Sequence, residues 1–170
     1  NPCPHISRSP PREKSPLNFR RLCLIIALIV TLVPAPAPAE QFANPLDVRL
    51  ADPQVLYENG IYYCYATSAS NGFHVWESRD LVNWTARGLA LQRAPGDWAR
   101  NTFWAPEVIK HHNVYYMIYS AAGGPDGYKR ICIARSLSPL GPFTEHAAPL
   151  FDNGMGYIDG HIFKDTNGAL

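Results

Sequence analysis

Alternating apolar and polar positions run from about residue 50 onward, in short segments separated by Asn, Gly, Asp and Pro. A period of two is typical of β-strands, and no stretch of useful length carries the 3.6-residue period of an amphipathic helix. The pattern therefore predicts an all-β domain. The predicted strands cover residues 53–57, 61–67, 73–78, 107–110, 114–120, 129–135 and 160–164.

An internal repeat organises these strands. Val55 precedes the pair Tyr62-Tyr63, Val108 precedes the equivalent pair Tyr115-Tyr116, and a third copy begins at His161. Repeats of roughly 40 to 50 residues with about four short strands each are typical of β-propeller blades, and propellers close with about four to eight of them. The sequence therefore predicts a fragment that contains about the first two and a half blades of a propeller.

The first 39 residues differ from the rest. Arg20 and Arg21 precede an apolar run over residues 22–33, and small residues and prolines follow up to Ala39. A run of about 12 apolar residues is shorter than the roughly 20 that span a bilayer, which favours a signal peptide over a membrane anchor. We predict that residues 1–39 are an extension plus a signal peptide cleaved near Ala39. Residues 40–170 would then form the partial propeller domain of a secreted or periplasmic protein with no membrane attachment.

Charge and cysteine content narrow the classes of partner. Residues 1–39 carry five Lys and Arg against one Glu, which leaves ten basic and thirteen acidic residues in the remainder. Without a basic stripe to neutralise phosphates, nucleic acid is not an expected partner. Cys64 and Cys132 lie in predicted strands, where buried free thiols are favoured over a disulfide.

Three carboxylates stand just before, or at the start of, the first strand of successive repeats: Asp52, Glu107 and Asp159. We interpret them as equivalent positions, and because inner strands of adjacent blades line the axis, we expect them to converge on one end of it. Carboxylates held close together can be separated into acid and base roles, and glycoside hydrolysis commonly uses two. The alternative for each is a turn cap, which the repetition disfavours.

Two further side chains near these carboxylates suit a sugar pocket. Trp104 offers a flat apolar face of the kind that stacks on a sugar ring, with blade packing as the alternative. His161 lies two residues after Asp159 on the same face of the strand, where it either contacts substrate or is structural. His111 and His112 lack the spacing of metal ligands, so no metal site is predicted.

Five motifs, in this order, resemble glycoside hydrolase family 43. They are ADP at 51–53, SRDLVNW at 78–84, FWAPE at 103–107, SPLGPF at 138–143, and ID at 158–159 followed by FKD at 163–165. The resemblance implies a five-bladed β-propeller that hydrolyses arabinose or xylose linkages of plant-wall polysaccharides with inversion, as an arabinanase, arabinofuranosidase or β-xylosidase. It also implies a protein that is a monomer when complete and needs no cofactor, although structural calcium occurs on the axis of some members.

The resemblance also implies roles for individual residues. Asp52 matches the general base, and Asp159 matches the second Asp, which orients the general acid and adjusts its pKa. The acid itself is a Glu of a later blade, and no matching motif precedes Leu170, so the fragment alone is expected to be inactive. Glu107 belongs to the pocket wall, and with Trp104 and His161 it is assigned to substrate contact.

Two other functions stay open at this point. One is a non-catalytic carbohydrate-binding propeller that keeps Asp52 and Trp104 for recognition. The other is a fructan- or sucrose-cleaving propeller hydrolase, which uses an Asp nucleophile and retains the anomeric configuration.

Overall fold

Eight β-strands in two antiparallel sheets make up the part of the protein that this computed structural model describes, residues 48–170. The predicted leader, residues 1–39, lies outside the described residues. The first sheet has the order β1-β2-β3-β4 and the second has the order β5-β6-β7-β8. The strands are β1 (Ala51–Glu58), β2 (Ile61–Thr67), β3 (Gly72–Ser78), β4 (Thr85–Gln92), β5 (Asn101–His111), β6 (Val114–Ala122), β7 (Lys129–Ser136) and β8 (Thr144–Ala147).

The all-β prediction is confirmed, and each sheet is one four-stranded blade. Two strands, β4 and β8, were not predicted, because most of their side chains are exposed or half-buried and give little apolar alternation. The prediction of a strand over residues 160–164 is wrong, since that segment has no strand in the structure. Among the described residues no neighbouring strand pairs with it, so its backbone has no ladder to join.

The core lies between the two sheets. Tyr63 and Tyr115 are buried while their neighbours Tyr62 and Tyr116 are only partly so, as expected for alternate faces of a strand. At the centre of this core, Phe73 of the first sheet packs edge-on against Phe103 and Tyr119 of the second, with ring centroids 5.7 Å and 5.5 Å apart. Edge-to-face aromatic contacts of this kind add to the gain from burial. The two blades therefore form one hydrophobic unit.

The SPLGPF motif joins the outer parts of the two blades. Gly141 has φ of +85°, and a Cβ added to it would lie 2.2 Å from the backbone oxygen of Ala90. Two residues later, the Phe143 N–H donates to that same oxygen at 2.7 Å. Glycine is thus required both for the backbone conformation and for the close approach.

The SRDLVNW motif closes the turn between β3 and β4. The Asp80 carboxylate accepts hydrogen bonds from the backbone N–H groups of Val82 and Asn83 at 2.9 Å and 2.8 Å. The Asn83 side-chain amide donates to the same carboxylate at 2.7 Å, and this contact together with the backbone donors holds the pKa of Asp80 well below its usual range. This motif is structural.

A buried arginine holds both the loop between β6 and β7 and the segment that follows the second blade. The Arg130 side chain is 2% exposed and donates to Asp126 at 2.7 Å and to Asp152 at 2.8 Å. Asp152 belongs to the segment that leads from β8 to Asp159, so the arginine connects β7 to the start of the third copy of the repeat. A buried guanidinium needs both partners, because charge away from water is otherwise costly.

The two cysteines of the described region are buried free thiols, as predicted. Burial raises the pKa of Cys64 to about 11 and that of Cys132 to about 12. Within residues 48–170, no helix has the length and apolar character needed to cross a membrane.

Candidate active site

Inner strands β1 and β5 each carry a β-bulge at the same position of the repeat. In β1 the bulge falls between Ala51 and Gln54, and in β5 it falls between Trp104 and Glu107. A residue in the left-handed region of backbone space sits at the start of each bulge: Asp52 with φ of 51° and Ala105 with φ of 44°. Bulges turn a side chain out of the regular pleat and are common beside active sites.

The third copy repeats this backbone conformation without a strand. Asp159 has φ of 58°, like Asp52 and Ala105. Asp and Asn tolerate the left-handed region better than most other non-glycine residues, because their short polar side chains can bond locally. The two aspartates therefore occupy equivalent positions, as the sequence predicted.

The predicted equivalence of Glu107 with Asp52 and Asp159 is wrong. Gln54 pairs with Tyr65 across the first blade and Glu107 pairs with Ile118 across the second, which makes Gln54 the counterpart of Glu107. The residue equivalent to Asp52 in the second blade is Ala105, two positions earlier. The 53-residue offset of the tyrosine pairs also aligns Asp52 with Ala105 and Gln54 with Glu107, so the mistaken equivalence came from matching carboxylates near a strand start instead of applying this offset.

One open cleft of about 330 Å³ is lined by the corresponding segments of all three repeat copies. Its lining consists of Asp52, Pro53 and Gln54 from the first copy, Ala105, Pro106 and Glu107 from the second, and Asp159, Gly160 and His161 from the third. The carboxylates of Asp52 and Asp159 are both exposed to solvent. The expected convergence of the inner strands thus brings two equivalent aspartates and Glu107 to one place.

Asp52 is held by the last residue of β2. The Thr67 hydroxyl donates to Asp52 Oδ2 at 2.8 Å and accepts a hydrogen bond from the Ala105 backbone N–H, also at 2.8 Å. In the second blade, Ser120 accepts from the Asp159 N–H at 3.0 Å in the same way. Each blade's second strand therefore fixes the bulge position of the next copy.

Gln54 connects the inner strands of the two blades. Its amide donates to the Val108 backbone oxygen at 3.2 Å and accepts from the Val108 N–H at 3.1 Å. Val108 is fully buried. The side chain thus satisfies both backbone groups of a residue on an inner edge that has no further strand paired with it within residues 48–170.

Glu107 and His161 contact each other across the cleft. His161 Nδ1 lies 2.7 Å from Glu107 Oε2, and the His161 side chain is 67% exposed against 22% for Glu107. Both side chains line the cleft, as their predicted role in substrate contact requires, and that role stays a prediction.

Trp104 lies next to the cleft, and its side chain is outside the lining. The residue is 42% exposed, and Lys129 Nζ stands 3.4 Å from the centroid of its ring. A cation over an indole face is a favourable arrangement that covers this face of the ring. A sugar that stacks there must therefore displace the lysine or use the other face.

A second, larger cavity of about 490 Å³ lies at the other end of the second blade. It opens between Val114 and the turn around Gly141, and none of its lining residues is a carboxylate. Among the described residues no group of three or more His, Cys, Asp or Glu side chains is placed to hold a metal ion.

Sequence reasoning missed three residues that shape the site: Thr67, Gln54 and Lys129. One signal could have revealed the first, since Thr67 and Ser120 are separated by the same 53 residues as the tyrosine pairs. The pairing of Lys129 with Trp104 has no signal in the sequence, because it depends on how β5 and β7 lie in the sheet.

Comparison with known proteins identifies relatives of the whole described region. The family model for glycosyl hydrolases family 43 matches residues 42–170. A probable arabinan endo-1,5-alpha-L-arabinosidase B of Aspergillus fumigatus is 30% identical over 142 residues, which cover 79% of this chain and 37% of that protein. Xylosidase/arabinosidase 43A of Humicola insolens is 28% identical over 141 residues, or 72% of this chain and 42% of that protein.

A solved structure gives the same result. The crystal structure of a thermostable family-43 glycoside hydrolase superposes with a TM-score of 0.71 and 49% sequence identity, over 75% of this chain and 42% of that one. The chain thus spans about two fifths of the length of the relatives it matches.

Proposed function

The chain belongs to glycosyl hydrolase family 43, and we propose that the whole protein hydrolyses arabinosyl or xylosyl linkages of plant-wall polysaccharides by an inverting mechanism. In this proposal Asp52 is the general base that takes a proton from the attacking water. Asp159 orients the general acid, which lies outside the described residues. The observation that carries the proposal is the cleft in which equivalent segments of three repeat copies bring Asp52 and Asp159 together.

An inverting reaction needs a water molecule between the base and the sugar. The two carboxyl groups of such enzymes stand about 6.5 to 9.5 Å apart to leave room for that water. Asp52 suits the role of base because its carboxylate is exposed to the cleft, where water and substrate enter. Thr67 engages only its Oδ2 atom, so the other oxygen is available to accept a proton.

Glu107 and His161 would contact the sugar rather than react with it. Because each already engages the other, the pair presents hydrogen-bonding groups in a fixed arrangement to hydroxyls of the substrate. Trp104 would stack on a sugar ring at the edge of the cleft, once Lys129 moves aside or through its other face.

Hydrolysis of arabinan and xylan oligosaccharides by the whole protein tests the proposal. We expect sugar release, with the first-formed anomer inverted when it is followed by proton NMR. Replacing Asp52 by Asn should lower kcat by about 10²- to 10⁴-fold, since that is the usual contribution of a general base. Asp97→Asn is the matched control, because Asp97 is a half-buried loop residue outside the cleft lining, and its side chain accepts a hydrogen bond from the backbone N–H of Ala94.

Each alternative predicts a different outcome. Retained configuration would support the fructan- or sucrose-cleaving type and refute inversion. Binding of oligosaccharide without turnover would support a non-catalytic carbohydrate-binding propeller. Near-normal turnover in Asp52→Asn would remove this residue from the mechanism.

Export to the periplasm or outside the cell is a further part of the proposal. It rests on the apolar run over residues 22–33 and the small residues before Ala39. Amino-terminal sequencing of the protein recovered outside the cytoplasm should give a start near Glu40. An uncleaved amino terminus would contradict it.

A further inference from the structure

The Thr67 hydroxyl group makes two hydrogen bonds, one with the backbone of β5 and one with the Asp52 carboxylate. The group has a single hydrogen, and a backbone N–H can only donate, so the contact with Ala105 uses the oxygen as acceptor. The hydrogen is therefore directed to Asp52 Oδ2. The result is a relay of fixed direction, from the Ala105 N–H through Thr67 to the carboxylate.

In the second blade, the equivalent hydroxyl makes the backbone contact and, among the described residues, no contact with a carboxylate. Ser120 is fully buried and accepts from the Asp159 N–H, as Thr67 does from the Ala105 N–H. The residue at the Asp52 position of that blade is Ala105, which offers no carboxylate. The hydroxyl thus serves the fold in both blades, and its contact with a carboxylate belongs to the first blade alone among the described residues.

The choice of threonine fits the additional contact. A β-branched side chain has few χ1 conformations, so its hydroxyl points in a defined direction. Asp52 is exposed, and an exposed aspartate without a local partner samples several side-chain conformations. A donor on Oδ2 selects one of them and leaves Oδ1 without a hydrogen-bond partner among the described residues.

We infer that Thr67 is a positioning residue, which orients the Asp52 carboxylate so that Oδ1 faces the attacking water. This inference rests on the proposed function, because it takes Asp52 as the general base. It extends the site to a residue that does not line the cleft. A structural role alone would predict only a loss of stability when the hydroxyl is removed.

The test replaces Thr67 in the whole protein and follows hydrolysis of arabinan and xylan oligosaccharides. Thr67→Val keeps the shape and removes the hydroxyl, and we expect kcat to fall by about ten- to hundredfold with little change in KM, as for loss of a hydrogen bond to a charged group. Thr67→Ser restores the hydroxyl and should recover most of the activity. Thr144→Val, at an exposed position of β8, is the control for loss of a threonine hydroxyl.

A double substitution distinguishes positioning from stability. Thr67→Val also leaves the Ala105 N–H without its acceptor, so a lower melting temperature is expected in any background. If the hydroxyl acts through the carboxylate, adding Thr67→Val to Asp52→Asn should change kcat by less than about twofold, because residues that act as a unit are not additive. A full further loss in the double variant would overturn the inference.

The outcomes also separate this inference from the proposed function. If Asp52→Asn is inactive and Thr67→Val has normal kcat, the positioning role fails and the base assignment stands. If Asp52→Asn itself keeps near-normal turnover, the proposed function fails, and the positioning role fails with it.

Discussion

Replacing Gln54 by Glu changes one atom of the contact that joins the inner strands of the two blades. The carboxylate can still accept from the Val108 N–H, but the donor to the Val108 carbonyl is lost. An ionised oxygen then faces a carbonyl oxygen at the distance where a hydrogen bond stood, 3.2 Å. We expect Gln54→Glu to destabilise the folded protein at neutral pH.

The size of the effect follows from the burial of Val108. Its carbonyl has no access to solvent, so the substitution leaves a buried acceptor without a donor and adds repulsion between two acceptors. An unsatisfied buried polar group costs about 1 to 3 kcal/mol, and the repulsion adds to it, so we expect a loss of about 2 to 4 kcal/mol. Gln54→Met, which removes both hydrogen bonds, should cost a similar amount.

Only Gln54→Glu should show a loss that depends on pH. Once protonated, the introduced carboxyl can donate to the Val108 carbonyl, so the folded state binds this proton more tightly than the unfolded chain does. The unfolded chain titrates near the ordinary value of about 4.3. The loss of stability should therefore be smallest below about pH 4 and grow as the pH rises through the higher pKa of the folded state.

Urea denaturation of the whole protein between pH 4 and pH 8 measures these differences. The free energy of unfolding of each variant is compared with that of the unsubstituted protein at the same pH. A loss below about 0.5 kcal/mol for Gln54→Glu at pH 7 would place it in the range of ordinary surface substitutions and refute the reasoning. So would a loss that is the same at every pH.

Two further predictions concern other buried groups. The pKa of Asp126 is held below its ordinary value of 3.8, chiefly by the hydrogen bond from Arg130 and also by a backbone N–H. The pKa of Asp152 is lowered in the same way, chiefly by a backbone N–H and then by Arg130. These carboxylates stabilise the fold above that value, and the contribution is lost as the pH falls through their lowered pKa values. The free energy of unfolding therefore decreases at low pH, which is the acid limb of the stability curve. Arg130→Met should make this decrease smaller. Because burial raises the pKa values of Cys64 and Cys132, both thiols should resist iodoacetamide at pH 8 in the folded protein and react in 6 M urea.

Both predictions have simple controls. Arg135→Met removes an exposed arginine from the same strand and should leave the acid limb unchanged. An equal flattening in both variants would show that net charge, and not the buried contact, sets the acid limb. Rapid labelling of the native protein would show that the sheet around one of the cysteines opens readily.

Most strands of the protein were predictable from their apolar residues, including β1, in which no residue is fully buried. β2, β3, β6 and β7 carry runs of buried apolar residues, and their predicted bounds agree with the structure to within two residues at each end. The start of β5 was misplaced by six residues, and the strand in fact continues through Pro106, which lies in a bulge. Proline at a bulge removes no ladder hydrogen bond, so the strand continues through it.

The site was predictable in its residue types and only partly in its geometry. Asp52 and Asp159 were placed at equivalent positions because each directly precedes the first predicted strand of its repeat copy. The offset of Glu107 was visible in the sequence, because the 53-residue repeat aligns Glu107 with Gln54. Spacing along the sequence does not show, however, which residue of a bulge faces the cleft. Contacts such as His161 with Glu107 join different copies of the repeat and need the fold itself to be known.

The three repeat copies share one backbone conformation in the cleft, whereas the charge of the cleft depends on which side chain each copy carries there. Ala105 already has the backbone conformation of Asp52 and Asp159, and aspartate tolerates that conformation better than alanine does. A single substitution at this position can therefore add a negative charge to the cleft with no insertion, deletion or change of strand pairing. Evolution of such a protein can alter the electrostatic preference of its cleft one blade at a time, while the architecture that displays these side chains stays constant.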